Sequence, residues 1–120
     1  MLTNKDLLGL YHISAEEIIE ILDRAKEMKA LLLAGKKAEK LLSGTALITL
    51  FYENSTRTRT SFELAGKYLG ASEVNISASS SSVQKGETLI DTGRTLDAMK
   101  IDYIAIRHAL AGAPKLLAEN

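Results

Sequence analysis

Residues 55–61 read Ser55-Thr56-Arg57-Thr58-Arg59-Thr60-Ser61, alternating hydroxyls with guanidinium groups over a single short stretch. Such a segment can hold an anion. An arginine presents a planar fork matched to two oxygens of a phosphate, and serine and threonine hydroxyls donate further hydrogen bonds. If the segment opens a helix, the unpaired backbone N–H groups and the positive end of the dipole point at the same place. The ordinary alternative is a Ser/Thr helix cap followed by two surface arginines, and the residues alone leave both readings open.

Two later segments carry compatible chemistry. Ser79-Ser80-Ser81-Ser82 is followed by Lys85, and Arg107 ends the apolar run Tyr103-Ile104-Ala105-Ile106. A serine cluster by itself has the composition of a flexible linker, and Lys85 by itself reads equally well as a solvated lysine. An arginine closing an apolar strand is harder to assign to solvent alone. Other chemistries find less support. Neither G-x-x-x-x-G-K-[ST] nor G-x-G-x-x-G occurs, so a nucleotide P-loop and a dinucleotide fingerprint are unsupported. Arg57-Thr58-Arg59 as a nucleic-acid patch lacks an aromatic platform or a wider basic stripe. His12 and His108 are isolated from other ligands at metal-binding spacing, so no metal is expected. Glu63 and Glu87 fall on different predicted helices, and nothing pairs them for acid–base work.

The elements that must position these residues can be read from periodicity. A helix is predicted over Ala15–Leu33: Ser14 and Glu17 form a capping box, Ile13 and Ile18 a hydrophobic staple, and Gly35 a stop. Its apolar stripe is Ile18, Leu22, Ala25 and Leu32, with Glu20 and Arg24 paired on the outside. Residues 36–40 read as a solvated charged connection. Ala46–Tyr52 is nearly continuously apolar and short, as a strand covered on both faces should be. Thr58–Leu69 reads as a helix burying Phe62, Leu64, Ala65, Tyr68 and Leu69, with Gly70 as its stop. Val74–Ser77 alternates as a short strand, Ser79–Gln84 is a loop, and Glu87–Met99 is a helix with Leu89, Gly93 and Leu96 on one face. Tyr103–Arg107 is a third strand, and Pro114 starts a last helix reaching about Glu119.

The fold class is therefore α/β: an N-terminal helix followed by β-α-β-α-β-α, with right-handed crossovers and a parallel sheet flanked by helices. Ligands of such sheets bind beyond the carboxyl ends of the strands. Loops Glu53–Thr60, Ala78–Gly86 and His108–Ala113 lie there, so Arg57, Arg59, Lys85, Arg107 and many hydroxyls gather on one edge.

Composition agrees with this class. The 120 residues carry 15 Lys+Arg against 15 Asp+Glu, are 46% hydrophobic, and include one proline and no cysteine. Zero net charge argues against a protein that coats nucleic acid or an anionic membrane. The lack of cysteine excludes disulfides, thiolate catalysis and cysteine zinc sites. No apolar run approaches the roughly 20 residues of a spanning helix. Lys5, Asp6 and Gly9 interrupt the N-terminal leucines, which is not the pattern of a signal peptide. A soluble, cytoplasmic single domain is expected.

At these residues the sequence resembles the aspartate/ornithine transcarbamylase family. The matching stretches are Phe51–Glu63, Ser77–Thr88, Asp91-Thr92 and Ile106-Arg107-His108, and the likeness runs across essentially all of the chain. The S-T-R-T-R motif is highly specific for carbamoyl-phosphate binding in the family. The serine-rich loop ending in Lys85-Gly86-Glu87 looks like the aspartate branch, and the ornithine branch differs there.

The resemblance implies that Ser55, Thr56, Arg57 and Thr58 grip the phosphate, and that Thr58 and Arg107 polarise the carbamoyl carbonyl oxygen as the catalytic pair. It implies that Ser81 and Lys85 belong to a loop reaching into a neighbouring subunit's site in a homotrimer. The implied reaction is attack by the α-amine of L-aspartate on the carbamoyl carbon of carbamoyl phosphate, without metal or organic cofactor.

Three departures stand out. Asn54 and Ala109 occupy positions where the family often has proline, and asparagine supports a similar turn through its side chain. The larger one is that family members continue into a further strand, a His-Pro loop, an aspartate-binding domain and a returning C-terminal helix, which these residues do not include. Residues 1–120 are thus expected to be a truncated carbamoyl-phosphate-binding domain with weak anion binding and no useful transferase activity alone. Uncovered apolar surface and a free strand edge would favour self-association or low stability. The alternatives are a non-catalytic fragment that binds an anion or a partner chain, and an ornithine enzyme.

Overall fold

The computed structural model describes residues 2–36, 40–53, 55–77, 89–108 and 112–119. Its elements follow the order α1 (Ala15–Leu33), β1 (Ala46–Phe51), α2 (Thr56–Tyr68), β2 (Ser72–Ser77), α3 (Leu89–Ala98), β3 (Tyr103–Arg107) and α4 (Ala113–Glu119). They form two compact units, residues 1–37 and 38–120.

In the first unit, α1 begins as its sequence dictates. The Ser14 hydroxyl accepts from Glu17 N–H at 3.1 Å, and the Glu17 carboxylate accepts from Ser14 N–H at 3.1 Å. Thr3 N–H reaches the other Glu17 oxygen at 3.1 Å. These backbone donors hold the Glu17 carboxyl below its ordinary range. At the other end Gly35, at φ 74°, closes a Schellman turn: Lys36 N–H donates to Leu31 O at 2.8 Å and Gly35 N–H to Leu32 O at 3.0 Å. The expected apolar stripe is only partly right. No residue of α1 is fully buried. Leu22, Ala25 and Leu32 are exposed, and the half-buried side runs through Ile18, Ile21, Met28 and Leu31.

The second unit is built on a three-stranded parallel sheet of order β2-β1-β3. Register pairs Thr49 with Asn75 and Ala105, and Phe51 with Ser77 and Arg107. Central strand β1 is the apolar run, and its last four residues are buried. The two faces differ sharply in character. Ile48 and Leu50 form the core with Leu96 of α3, and Ile76, Ile104, Ile106, Leu89 and Leu117 pack around them. α3 and α4 therefore cover this face.

α2 covers the other face, where Leu47, Thr49 and Phe51 alternate with the core residues of β1. Here Thr49, wholly buried, donates its hydroxyl to Asn75 Oδ1 at 3.0 Å. The helix comes close because Gly66 lacks a side chain; a Cβ there would lie 2.7 Å from Leu47 Cδ2 and 3.8 Å from Glu73 Cγ. That approach overrides the apolar periodicity of the segment. Phe62 and Leu64, expected inside, are exposed, and Ala65 is exposed with them. Gly66, and not an aliphatic residue, is the buried position of α2. Gly70, at φ 89°, stops α2 as expected, with Ala71 N–H on Gly66 O at 2.9 Å and Gly70 N–H on Lys67 O at 3.1 Å.

With α2 on one face and α3 and α4 on the other, the chain leaves neighbouring strands β1 and β3 in opposite directions. That divergence makes their carboxyl ends the topological switch point of an open α/β sheet, where ligands of such sheets generally bind.

Candidate anion site at the β1 and β3 tips

Residues near the switch point arrive from strands far apart in sequence. Pairing continues one residue beyond β1, where Tyr52 N–H donates to Arg107 O at 2.8 Å. On the α3 side of the tips the Tyr52 and His108 rings pack with centroids 4.5 Å apart at 48°. Arg107, paired with Phe51, alternates to the α2 side. Its Nη1 donates to Ser55 Oγ at 3.2 Å, and its Nε donates to Glu53 Oε2 at 3.4 Å.

Ser55 is the N-cap of α2, yet its side chain makes no capping hydrogen bond. Its backbone carbonyl accepts from Arg59 N–H at 2.9 Å, which starts the helical ladder. The helix thus opens at Thr56, two residues earlier than periodicity suggested. Helical geometry then leaves the N–H groups of Thr56, Arg57 and Thr58 without intrahelical acceptors. They emerge at the positive end of the dipole, beside the Arg107 guanidinium. Thr56 and Arg57 are exposed, and Thr58 and Ser55 are half-buried. A site of this kind offers directed N–H groups, hydroxyls and two guanidinium groups to an anion of phosphate size.

Ser55, Thr56, Arg57, Thr58 and Arg107 therefore meet at one edge. Ser81 and Lys85 lie outside the described residues, as do the whole of the Ala78–Gly86 loop and residues 109–111 of the third loop. Arg59, expected at the same edge, turns away: its Nε lies 3.0 Å from Glu63 Oε1, one turn along α2. From the sequence Glu53 is only the opening of a loop, and its role as the charged partner of Arg107 depends on the strand pairing, which no local pattern encodes. Among the described residues there is no group of three or more His, Asp or Glu able to hold a metal. No helix among them is long and apolar enough to cross a membrane.

Comparison with known proteins places this geometry in a family. Residues 5–120 match the model of the aspartate/ornithine carbamoyltransferase carbamoyl-P binding domain. The chain belongs to the aspartate/ornithine carbamoyltransferase family. It is 65% identical over 119 residues to the aspartate carbamoyltransferase catalytic subunit of Ruminiclostridium cellulolyticum, covering 99% of this chain and 38% of that protein. Among solved structures, the aspartate transcarbamoylase of Trypanosoma cruzi in complex with carbamoyl phosphate and aspartate superposes with a TM-score of 0.85 at 36% identity. That match covers 96% of this chain and 36% of the other. Ornithine carbamoyltransferase from Pyrococcus furiosus superposes at 0.83 with 38% identity, covering 95% and 36%. The chain thus spans little more than a third of the length of these relatives. The parallel α/β architecture expected from the sequence is the architecture found.

Proposed function

We propose that residues 1–120 form a carbamoyl-phosphate-binding domain, supplying one side of the site for carbamoyl transfer to the amine of L-aspartate. In this reading the exposed Arg57 fork, the α2 N–H groups and the hydroxyls of Ser55 and Thr56 bind the phosphate. Thr58 and Arg107 take the carbamoyl oxygen. Charge grows on that oxygen when the amine attacks the carbamoyl carbon, and fixed cationic and hydroxyl donors stabilise it as phosphate leaves. This chemistry asks for positioning and electrostatics, and the reading includes no cofactor. Ser81 and Lys85 complete a neighbouring subunit's site in a homotrimer, and the enzyme works in the cytoplasm in pyrimidine biosynthesis.

The observation that carries the reading is the meeting of Arg107 with Ser55 at the first turn of α2, directly at the switch point. The aspartate branch is favoured by the name of the relative at 65% identity. Calorimetric titration of the chain with carbamoyl phosphate, run beside inorganic phosphate, tests it. Arg57→Ala is expected to weaken both at least about tenfold, the loss of a charge-assisted bidentate contact, without moving the urea midpoint. Unchanged affinity would overturn the site. Rapid formation of carbamoyl-aspartate by the isolated chain would overturn the division of the site between this segment and another.

A further inference from the structure

The second arginine of the S-T-R-T-R segment has a different environment from the first. Arg59, Glu63 and Gly66 stand at i, i+4 and i+7, on the stripe of α2 that Gly66 brings against the sheet. Arg59 Nε is screened from solvent, and Glu63 Oε1, 3.0 Å away, sits off its N–H axis, so the contact is an ion pair without a formed hydrogen bond. Across from them on β2, Glu73 has an oxygen that is buried without a hydrogen-bond partner. Burial, and then the nearby Glu63 charge, push the Glu73 carboxyl above its ordinary range, while Lys67, the Thr49 hydroxyl and Arg59 pull against them. Arg59, Glu63 and Glu73, charges of both signs, therefore lie where α2 approaches β2, with Lys67 exposed beside them, at a place where a helix normally lays apolar side chains on a sheet.

The pair is only partly exposed, and the buried Arg59 Nε and Glu73 Oε1, neither with a hydrogen-bond partner, carry a desolvation cost that calls for a compensating role. What the pair fixes is the start of α2: Arg59 lies in the first two turns, and its own N–H takes the carbonyl of Ser55. We propose that Arg59 is a positioning residue, whose ion pair with Glu63 against β2 sets the direction of the first turn of α2 toward the anion without Arg59 touching it. The proposal rests on the reading of that turn as a phosphate site. It separates two arginines that the motif presents as equivalent: Arg57 binds, and Arg59 aims.

The sign of one substitution decides between aiming and binding. Glu63→Gln removes a negative charge near the site, so simple electrostatics would tighten an anion. Aiming through the pair predicts the opposite, a loss of about three- to thirtyfold in carbamoyl-phosphate affinity, the range for coupled neighbours. Arg59→Gln should lose a similar factor, the double variant no more than the worse single one, and Arg59→Lys should recover most of it. Urea unfolding of each variant confirms that folded chain is titrated. Tighter or unchanged binding in Glu63→Gln overturns the proposal, as does full additivity in the double variant. A readout without ligand stands beside these: the Ser55–Thr58 amide resonances, more than one turn from position 63, should shift in Glu63→Gln, and unmoved amides overturn the aiming role. Wild-type chain that binds neither carbamoyl phosphate nor phosphate would instead overturn the functional reading itself.

Discussion

Arg107 and Ser55 are 52 residues apart in sequence and joined at 3.2 Å, guanidinium Nη1 to hydroxyl oxygen. The hydroxyl that would ordinarily cap α2 is thereby committed to the neighbouring strand tip. Tertiary structure has taken a local capping residue and made it part of a cationic edge. The Ser55 hydroxyl therefore does not cap the helix and faces Arg107.

Ser55→Ala follows directly. Removing a capping serine typically costs about 1 kcal/mol of stability. Because this side chain does not cap, the expected change is below about 0.5 kcal/mol, as for ordinary surface positions. Carbamoyl-phosphate affinity should fall about threefold to tenfold, the worth of one hydrogen bond of about 1 kcal/mol. Urea unfolding and calorimetric titration give the two numbers. A full capping loss with unchanged affinity would assign Ser55 to the helix and not to the site.

On the proposed function, Glu53 competes with an incoming anion for the same arginine. Its carboxylate lies 3.4 Å from Arg107 Nε, and both side chains remain more than a third exposed. Solvent screening keeps such a pair to about 1 kcal/mol or less. Glu53→Gln should therefore strengthen phosphate binding modestly, by up to about fivefold at low ionic strength, and the gain should fade as salt is raised. Titration at two salt concentrations checks it. Weaker binding in the variant would show that Glu53 holds Arg107 in place for the anion and does not occupy it.

The legible parts of this fold are those with local causes. The capping box at Ser14 and Glu17 and the stops at Gly35 and Gly70 need only a few neighbouring residues, and each forms as its sequence implies. Strand β3 spans Tyr103–Arg107, the bounds its apolar run ending in arginine implies. The buried face of α2 departs from its apolar periodicity because Gly66 sets it against Leu47, and helix periodicity carries no record of the partner strand. Convergence of Arg107 on α2 could be anticipated from alternation of strands and helices. The diversion of Arg59 to Glu63, and the capture of Arg107 by Glu53, depend on register and helix rotation, which the order of elements leaves open.

Glu73 offers a test of the polar interface by pH. Its carboxyl is raised in the folded chain, chiefly by burial and next by the Glu63 charge. Folding therefore favours its protonated form. The stabilising contribution is complete below the carboxyl's unfolded value and is lost as pH rises through the folded one, so at neutral pH the ionised group carries its full cost. Glu73→Gln retains the shape without the charge. Oε1 has no hydrogen bond to lose, and the amide oxygen of Gln can still accept from the Thr49 hydroxyl that faces the carboxyl, so the variant should unfold at higher urea than wild type near neutral pH. Acidification through the carboxylate range should shrink that advantage toward zero as wild-type Glu73 takes up its proton. Paired urea titrations across that range provide the measurement. A variant that is less stable at neutral pH would mean that attraction to Lys67 and Arg59 outweighs burial and the repulsion from Glu63.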